Sequence, residues 1–516
     1  MAATVKDEKP SVVDNFDALF KAVSNGHLAS LKSILENDFS VQAFRNLSST
    51  LLHQAASNSQ SHILEYLVQH GAYVDGANAQ QMTALHVSSR VGNVDSVRVL
   101  LENGADINDV DYDNRSPLYF SVYDGHLECV KYLLENPKLN INIHRKGGWT
   151  YLHEAARFGH FECLKLLIKT PGMNLMSRTD DAHWTPGHMA ASSGHYDCLA
   201  LLIENKIDIN AGGGPHHSST LLHEASHGGH KDIVKLLLEK GANPSLYSGH
   251  NLPHHIACRR GYTEVLEEYF QFFTKTPKHG RLIDAFTNVD PVTNALSYQN
   301  SLHLVSLYGY KECLELLLKY KAKHLPNGMH MYPVMLAACK MHIDCLKILL
   351  REIKNTSIGH EVLQRDGHQS ALHHLCIKTY KTNNKSIACA CLLLNSGMIN
   401  IDQYDEDWNI PTPLYLAGRN GAVGLVQYLI NMGADARLCD SLREYTLNNP
   451  QIRRCADMIE EARSEPMTLV MVCKLRIRER LLRCSSLENV SKLRLPNVLK
   501  DMVYHGHHRG VTDCKI

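Results

Sequence analysis

The chain has 516 residues, and its 53 Lys and Arg against 53 Asp and Glu leave a formal net charge of zero. That balance offers no bulk attraction to nucleic acid or to an anionic membrane surface, and no stretch approaches the apolar length of a transmembrane helix. So many residues would be unusual around one globular core, whereas a stack of repeated units grows without a single centre. Residues 1–14 are polar and charged, unlike a signal peptide, and read as a short disordered lead.

A four-residue pattern then recurs down the chain. A weak copy at Asp17-Ala18-Leu19-Phe20 precedes Thr50-Leu51-Leu52-His53, Thr83-Ala84-Leu85-His86, Ser116-Pro117-Leu118-Tyr119, Thr150-Tyr151-Leu152-His153, Thr185-Pro186-Gly187-His188 and Thr220-Leu221-Leu222-His223. From Thr50 the steps are 33, 33, 34, 35 and 35 residues. Degenerate copies follow at Leu252-Pro253-His254-His255, Asn300-Ser301-Leu302-His303, Tyr332-Pro333-Val334-Met335, Ser370-Ala371-Leu372-His373 and Thr412-Pro413-Leu414-Tyr415. Six residues after the tetrad a glycine marks the end of a short helix, as at Gly125, Gly159, Gly194 and Gly229. A second helix with paired leucines comes next, such as Leu133-Leu134 and Leu236-Leu237, and Gly-Ala pairs such as Gly104-Ala105 and Gly241-Ala242 close the unit. Each helix pair exposes an apolar face that only a neighbour can bury.

A period of about 33 residues carrying a Thr-Pro-Leu-His-x-Ala core resembles the ankyrin repeat. The resemblance implies an all-α fold: an ankyrin-repeat solenoid of about twelve repeats over 15–445. The spacing stretches to 48 residues after Leu252, 38 after Tyr332 and 42 after Ser370, which places insertions near 272–298, 351–369 and 378–386. Insertions of this kind map to one face of a solenoid, often the binding face.

Histidine and cysteine, 32 and 15 in number, invite a metal or disulfide reading that their register opposes. Eight histidines hold the fourth tetrad position, five more follow the turn glycine, and Cys129, Cys163, Cys198, Cys313 and Cys345 share one slot of the repeat. Cysteines one repeat apart along a solenoid lie too far from one another to bridge or to share a metal. Reduced thiols in the cytoplasm, with the nucleus as the other setting, account for them. His223-Glu224-Ala225-Ser226-His227 matches H-E-x-x-H, yet His223 is the tetrad histidine and no suitably spaced third ligand follows. Gly212-Gly213-Gly214-Pro215 lacks the Gly-Lys-Ser/Thr of a phosphate-binding loop. No metal, no cofactor and no catalytic set is therefore expected.

After a linker or capping segment at 446–465 the register is lost. Leu469, Cys473 and Ile477 fall at i, i+4 and i+8 of a helical stretch, one apolar stripe, and a second segment follows at 493–504. By periodicity alone the stripe equally suits a helix that caps the array around Leu425, Leu429 and Ile430, which would make the chain a non-ligase ankyrin scaffold. Thr468-Leu469-x-x-x-Cys473-x-x-x-Ile477, however, resembles the BC box of the SOCS-box family. Leu493-Arg494-Leu495-Pro496-x-x-Leu499-Lys500 resembles that family's cullin box, with Arg494 where a proline is usual. The whole chain is thus similar to the ankyrin-repeat and SOCS-box family, with a small helical SOCS box at 466–505 and a flexible tail at 506–516. The resemblance implies a non-catalytic substrate adaptor of an E3 ubiquitin ligase. Leu469, Cys473 and Ile477 would dock on elongin C, paired with elongin B, and Leu495 and Pro496 would recruit the cullin-five scaffold and its RING subunit. The array would hold an unidentified protein substrate. Ankyrin arrays bind through their tips and the exposed ends of the inner helices, which in this register include Tyr123, Trp149, Arg157, Phe158, Trp184 and His227.

Overall fold

The computed structural model describes residues 12–38, 41–177, 179, 183–212, 219–287, 298–354, 362–363, 369–379, 384–404, 411–439 and 449–464. The chain divides into two compact units, Met1–Gly249 and His250–Ile516. Among the described residues the regular structure is helical, apart from one isolated antiparallel bridge between Arg145 and Trp149. None of the described helices is long and apolar enough to cross a membrane.

Unit 1 is a run of antiparallel helix pairs: α1 (Val12–Ser24) with α2 (Leu28–Asp38), α3 (Val41–Ser57) with α4 (Ser61–Gln69), α5 (Ala84–Val91) with α6 (Val94–Glu102), and α7 (Pro117–Tyr123) with α8 (Leu127–Leu134). The run continues with α9 (Tyr151–Phe158) and α10 (Phe161–Lys169), α11 (Pro186–Ser193) and α12 (Tyr196–Glu204), and α13 (Leu221–Gly228) and α14 (Lys231–Glu239). First helices pack on first helices and, from α4 onward, second on second, so the pairs inside the run are sandwiched between their neighbours. Leu85, Leu118, Leu152 and Leu222 from the first helices and Leu100, Leu133, Leu167, Leu202 and Leu237 from the second are buried. Each such side chain stabilises the stack by roughly 1.5–3 kcal/mol relative to exposure.

The tetrads start the inner helices for a local reason. Thr83, Thr150, Thr185 and Thr220 are N-caps with extended backbone, and the histidine three residues on returns a ring nitrogen to the cap's own N–H. Glycine ends the same helices in the left-handed region, at Gly92, Gly159, Gly194 and Gly229. Thr50 departs from this pattern: α3 begins at Val41 and runs straight through the tetrad.

Unit 2 repeats the scheme less evenly. It holds α15 (Pro253–Arg260), α16 (Thr263–Lys275), α17 (Ser301–Tyr308), α18 (Lys311–Lys319), α19 (Pro333–Cys339), α20 (Ile343–Lys354), α21 (Ala371–Lys378), α22 (Asn384–Asn395), α23 (Pro413–Arg419) and α24 (Val423–Asn431). Helix α16 is 13 residues long, packs on a 3-10 helix at Pro277–Asp284, and buries Tyr269, Phe270 and Phe273. Residues 288–297, 355–361, 364–368 and 380–383, which fall within the expected insertions, lie outside the described residues. The last helix among the described residues, α25 (Pro450–Ser464), packs on α23 and α24 and buries Cys455, Ala456 and Ile459. Arg463 ties its last turn to the Cys439 carbonyl at 2.7 Å.

Candidate functional site

Two ladders of histidines fix the face on which the sequence places partner binding. In the first, the tetrad imidazole accepts the cap N–H on Nδ1, which leaves Nε2–H to donate across to the next repeat. His86 reaches the Arg115 carbonyl at 3.1 Å, His153 that of Trp184 at 2.9 Å, and His188 that of Ser219 at 3.0 Å. These carbonyls stand one residue before the next tetrad, so the ladder holds the repeat tips. Burial lowers the His86 and His153 imidazoles to about 4, and backbone carbonyls oppose the shift only in part.

The second ladder runs the other way. The histidine after each turn glycine donates Nε2–H to the last turn of the preceding inner helix: His126 to Arg90, His160 to Tyr123, and His195 to Arg157, each at 2.9 Å. The backbone is thereby pinned at the positions whose side chains stand exposed at the inner-helix ends. Tyr123, Arg157, Phe158 and His227 are all exposed there.

One tetrad breaks the first ladder. Tyr119 occupies the histidine slot, and its hydroxyl donates instead to Glu154 Oε1, one repeat on, at 2.8 Å. The Trp149 carbonyl, which a histidine would have bound, accepts the Arg145 N–H at 2.9 Å. Arg145 and Trp149 thus close a tight hairpin, and the Arg145 guanidinium lies 5.8 Å from the Trp149 ring centre. Arg157, in the last turn of α9, lies over the same ring at 5.3 Å and over Phe158 at 5.2 Å. Phe158 meets Tyr123 edge-on at 4.6 Å, and Tyr123 stacks on Tyr119 at 5.9 Å. Glu154 sits beneath this cluster, fully buried, with Arg145 Nη1 3.7 Å from Oε1. Burial pushes its carboxyl above the usual range, while the Tyr119 hydroxyl and the Arg157 and Arg145 charges oppose the shift.

Of the residues singled out in the sequence, Tyr123, Trp149, Arg157 and Phe158 come together. Trp149 and Trp184 are half-buried rather than open to water, because each ring lies against the histidine of its own tetrad, His153 at 6.1 Å and His188 at 6.2 Å. Trp184 and His227 stand on later repeats of the same row. Tyr119, Arg145 and Glu154 were not singled out. Their signal was a tyrosine in the histidine slot followed, one repeat later, by a glutamate in a slot that holds Val87, Phe120 and Met189 in other units and a glutamate again only at Glu224, which is bonded to Ser219 instead. His223, of the H-E-x-x-H match, is a buried helix cap bonded to Thr220, and His227 is exposed one turn on. Among the described residues no group of three His, Cys, Asp or Glu is placed to hold a metal ion. Leu469, Cys473, Ile477, Leu495 and Pro496 lie outside the described residues.

The family model for ankyrin repeats (three copies) matches residues 19–111, 75–145, 118–213 and 173–248, overlapping stretches that fall within unit 1. No curated protein matches the chain. Among solved structures, the crystal structure of the human ASB11 ankyrin repeat domain is similar at 25% identity, with a TM-score of 0.38, covering 43% of this chain and 96% of that one.

Proposed function

We propose that this chain, which carries ankyrin repeats over residues 19–248, is the substrate-recognition adaptor of an elongin BC–cullin-five–RING E3 ubiquitin ligase. Ankyrin repeats bind protein partners, and here the repeats would hold the substrate. Leu469, Cys473 and Ile477 would enter a groove on elongin C as spaced apolar anchors of one helix. Leu495 and Pro496 would engage the cullin. The chain itself does no chemistry in this reading: it raises the local concentration of substrate at a charged conjugating enzyme, in the cytoplasm or nucleus.

The observation that carries the proposal is the position of α25. A solenoid needs its last apolar face covered, and a tail stripe of Leu469, Cys473 and Ile477 would serve as that cover in a plain scaffold. Helix α25 already packs on α23 and α24, and Leu425 and Leu429 of the last pair are buried. With α25 on that face, the stripe is available in this reading for binding another chain. The two tail motifs, in order and soon after the repeats, support elongin C as that chain. The test is co-purification with elongins B and C, wild type beside the Leu469→Ala/Cys473→Ala double variant. Capture by the wild type alone is expected, with the unfolding transition of the repeats unchanged. Equal capture by both would refute the assigned residues, and capture by neither would leave a non-ligase scaffold.

A further inference from the structure

We propose that Arg145 and Arg157 of unit 1 bind a side-chain carboxylate of an acidic protein segment, with the neighbouring apolar side chain of that segment packed on Tyr123 and Phe158. The inference deepens the substrate-holding role proposed for the repeats and rests on it.

The argument begins at the broken ladder. Between Thr50 and His223 every tetrad except one ends in histidine, and the exception, Tyr119, is the residue that carries Glu154. The substitution exchanges an internal tie for a buried carboxylate under two guanidiniums. Glu154 does not saturate them. The 3.7 Å separation from Arg145 is an ion pair too long for a hydrogen bond, and Oε2 is buried without a hydrogen-bond partner. Beyond this long, weak contact of Arg145 with Glu154, no hydrogen bond of normal length joins either guanidinium to a protein acceptor among the described residues, although each carries five N–H donors.

Both arginines are nonetheless positioned. Each lies over the Trp149 ring, which limits the rotamer freedom that a ligand would otherwise have to freeze. Both reach water: the Arg145 side chain keeps 34% of its accessible surface, and Arg157 is exposed. Two cations against one carboxylate leave the cluster one positive charge in excess. Asp124, the acid at the end of α7, lies in the fields of Arg90, His126 and His160 and does not cancel that excess. A planar carboxylate accepting from one or both guanidinium edges meets the charge and the donors together. Beside them, Tyr123 and Phe158 are exposed rings in edge-to-face contact, an apolar platform for the adjoining side chain.

The experiment is fluorescence anisotropy on the full-length protein with short random peptide pools that share one fixed pair, Glu-Leu, Gln-Leu, Lys-Leu or phosphoserine-Leu. The Glu-Leu pool is expected to bind about ten-fold more tightly than the Gln-Leu pool, the scale of one charge-assisted hydrogen-bonded pair. Arg145→Gln/Arg157→Gln should abolish that preference; because the two charges also offset the burial of Glu154, the unfolding midpoint is expected to fall, and binding is compared at a temperature where both proteins are folded. Equal binding of the Glu-Leu and Gln-Leu pools by the wild type overturns the proposal and requires no variant. Preference for Lys-Leu overturns it in favour of a cation at Glu154, and binding of the phosphoserine pool alone overturns the carboxylate assignment. Because the readout is peptide binding, its failure leaves elongin capture unaffected.

Discussion

A buried histidine that caps a helix and ties two repeats together is useful only while it is neutral. His86, His153, His303 and His373 are held at about 4 by burial, against an ordinary value of 6.5. Their folded values lie below the unfolded one, so the unfolded chain takes up protons first as the pH falls. The stability they provide is complete above about pH 6.5 and is lost as the pH drops toward about 4. Urea midpoints should therefore be flat from about pH 7 to 8 and fall steadily between about pH 6.5 and 4.5. His153→Asn should lower stability at neutral pH by about 1–2 kcal/mol and make that fall shallower, because one proton-linked group is gone. A variant as steep as the wild type would remove the tetrad histidines from the explanation. The position of these residues was legible in the sequence because the capping contact is local, three residues from threonine to imidazole. The Tyr119–Glu154 pair was not, since the partners are 35 residues apart and meet only through the stacking of α7 on α9.

At the scale of one element, glycines close both helices of a pair but in different surroundings, Gly159 between α9 and α10 and Gly104 after α6. Gly159 has φ of 74°, and a Cβ on it would land on the His195 ring of the second ladder. Gly104 also has positive φ, 88°, but a Cβ there would meet nothing within 4 Å. Gly104→Ala should cost only the left-handed backbone strain, about 1–2 kcal/mol. Gly159→Ala should cost clearly more, because His195 must also move off the Arg157 carbonyl, and thermal unfolding of the two variants side by side measures the difference. Equal losses would show that the ring yields without cost. The glycines were readable as helix ends from spacing, whereas their unequal surroundings depend on where the next repeat's imidazole falls. The start of α3 at Val41 was hidden for a similar reason. A tetrad predicts a cap only if the preceding residues leave the helix, and the tetrad residues themselves say nothing of that.

For the whole molecule the decisive question is where folding ends and partner binding begins. A stack of helix pairs is stabilised mainly by contacts between neighbours, so its last member is unstable unless its outer face is covered. In unit 2 that cover is α25, whose Cys455, Ala456 and Ile459 are buried and whose Arg463 holds the Cys439 carbonyl. Two truncations separate the roles. A chain ending at Ser464 keeps all of these contacts and should unfold with the same midpoint as the full protein while capturing no elongin. A chain ending at Asn449 loses the helix, exposing the faces of α23 and α24 on which it packs. It should lose a few kcal/mol from the end of the stack, in line with the removal of several buried side chains. Exposed apolar surface of that kind also favours association, so the shorter chain should run as larger species on size-exclusion chromatography. Were the chain ending at Ser464 to unfold as readily as the one ending at Asn449, the tail beyond Ser464 would be part of the cap. The stripe of Leu469, Cys473 and Ile477 would then have a structural task that competes with elongin.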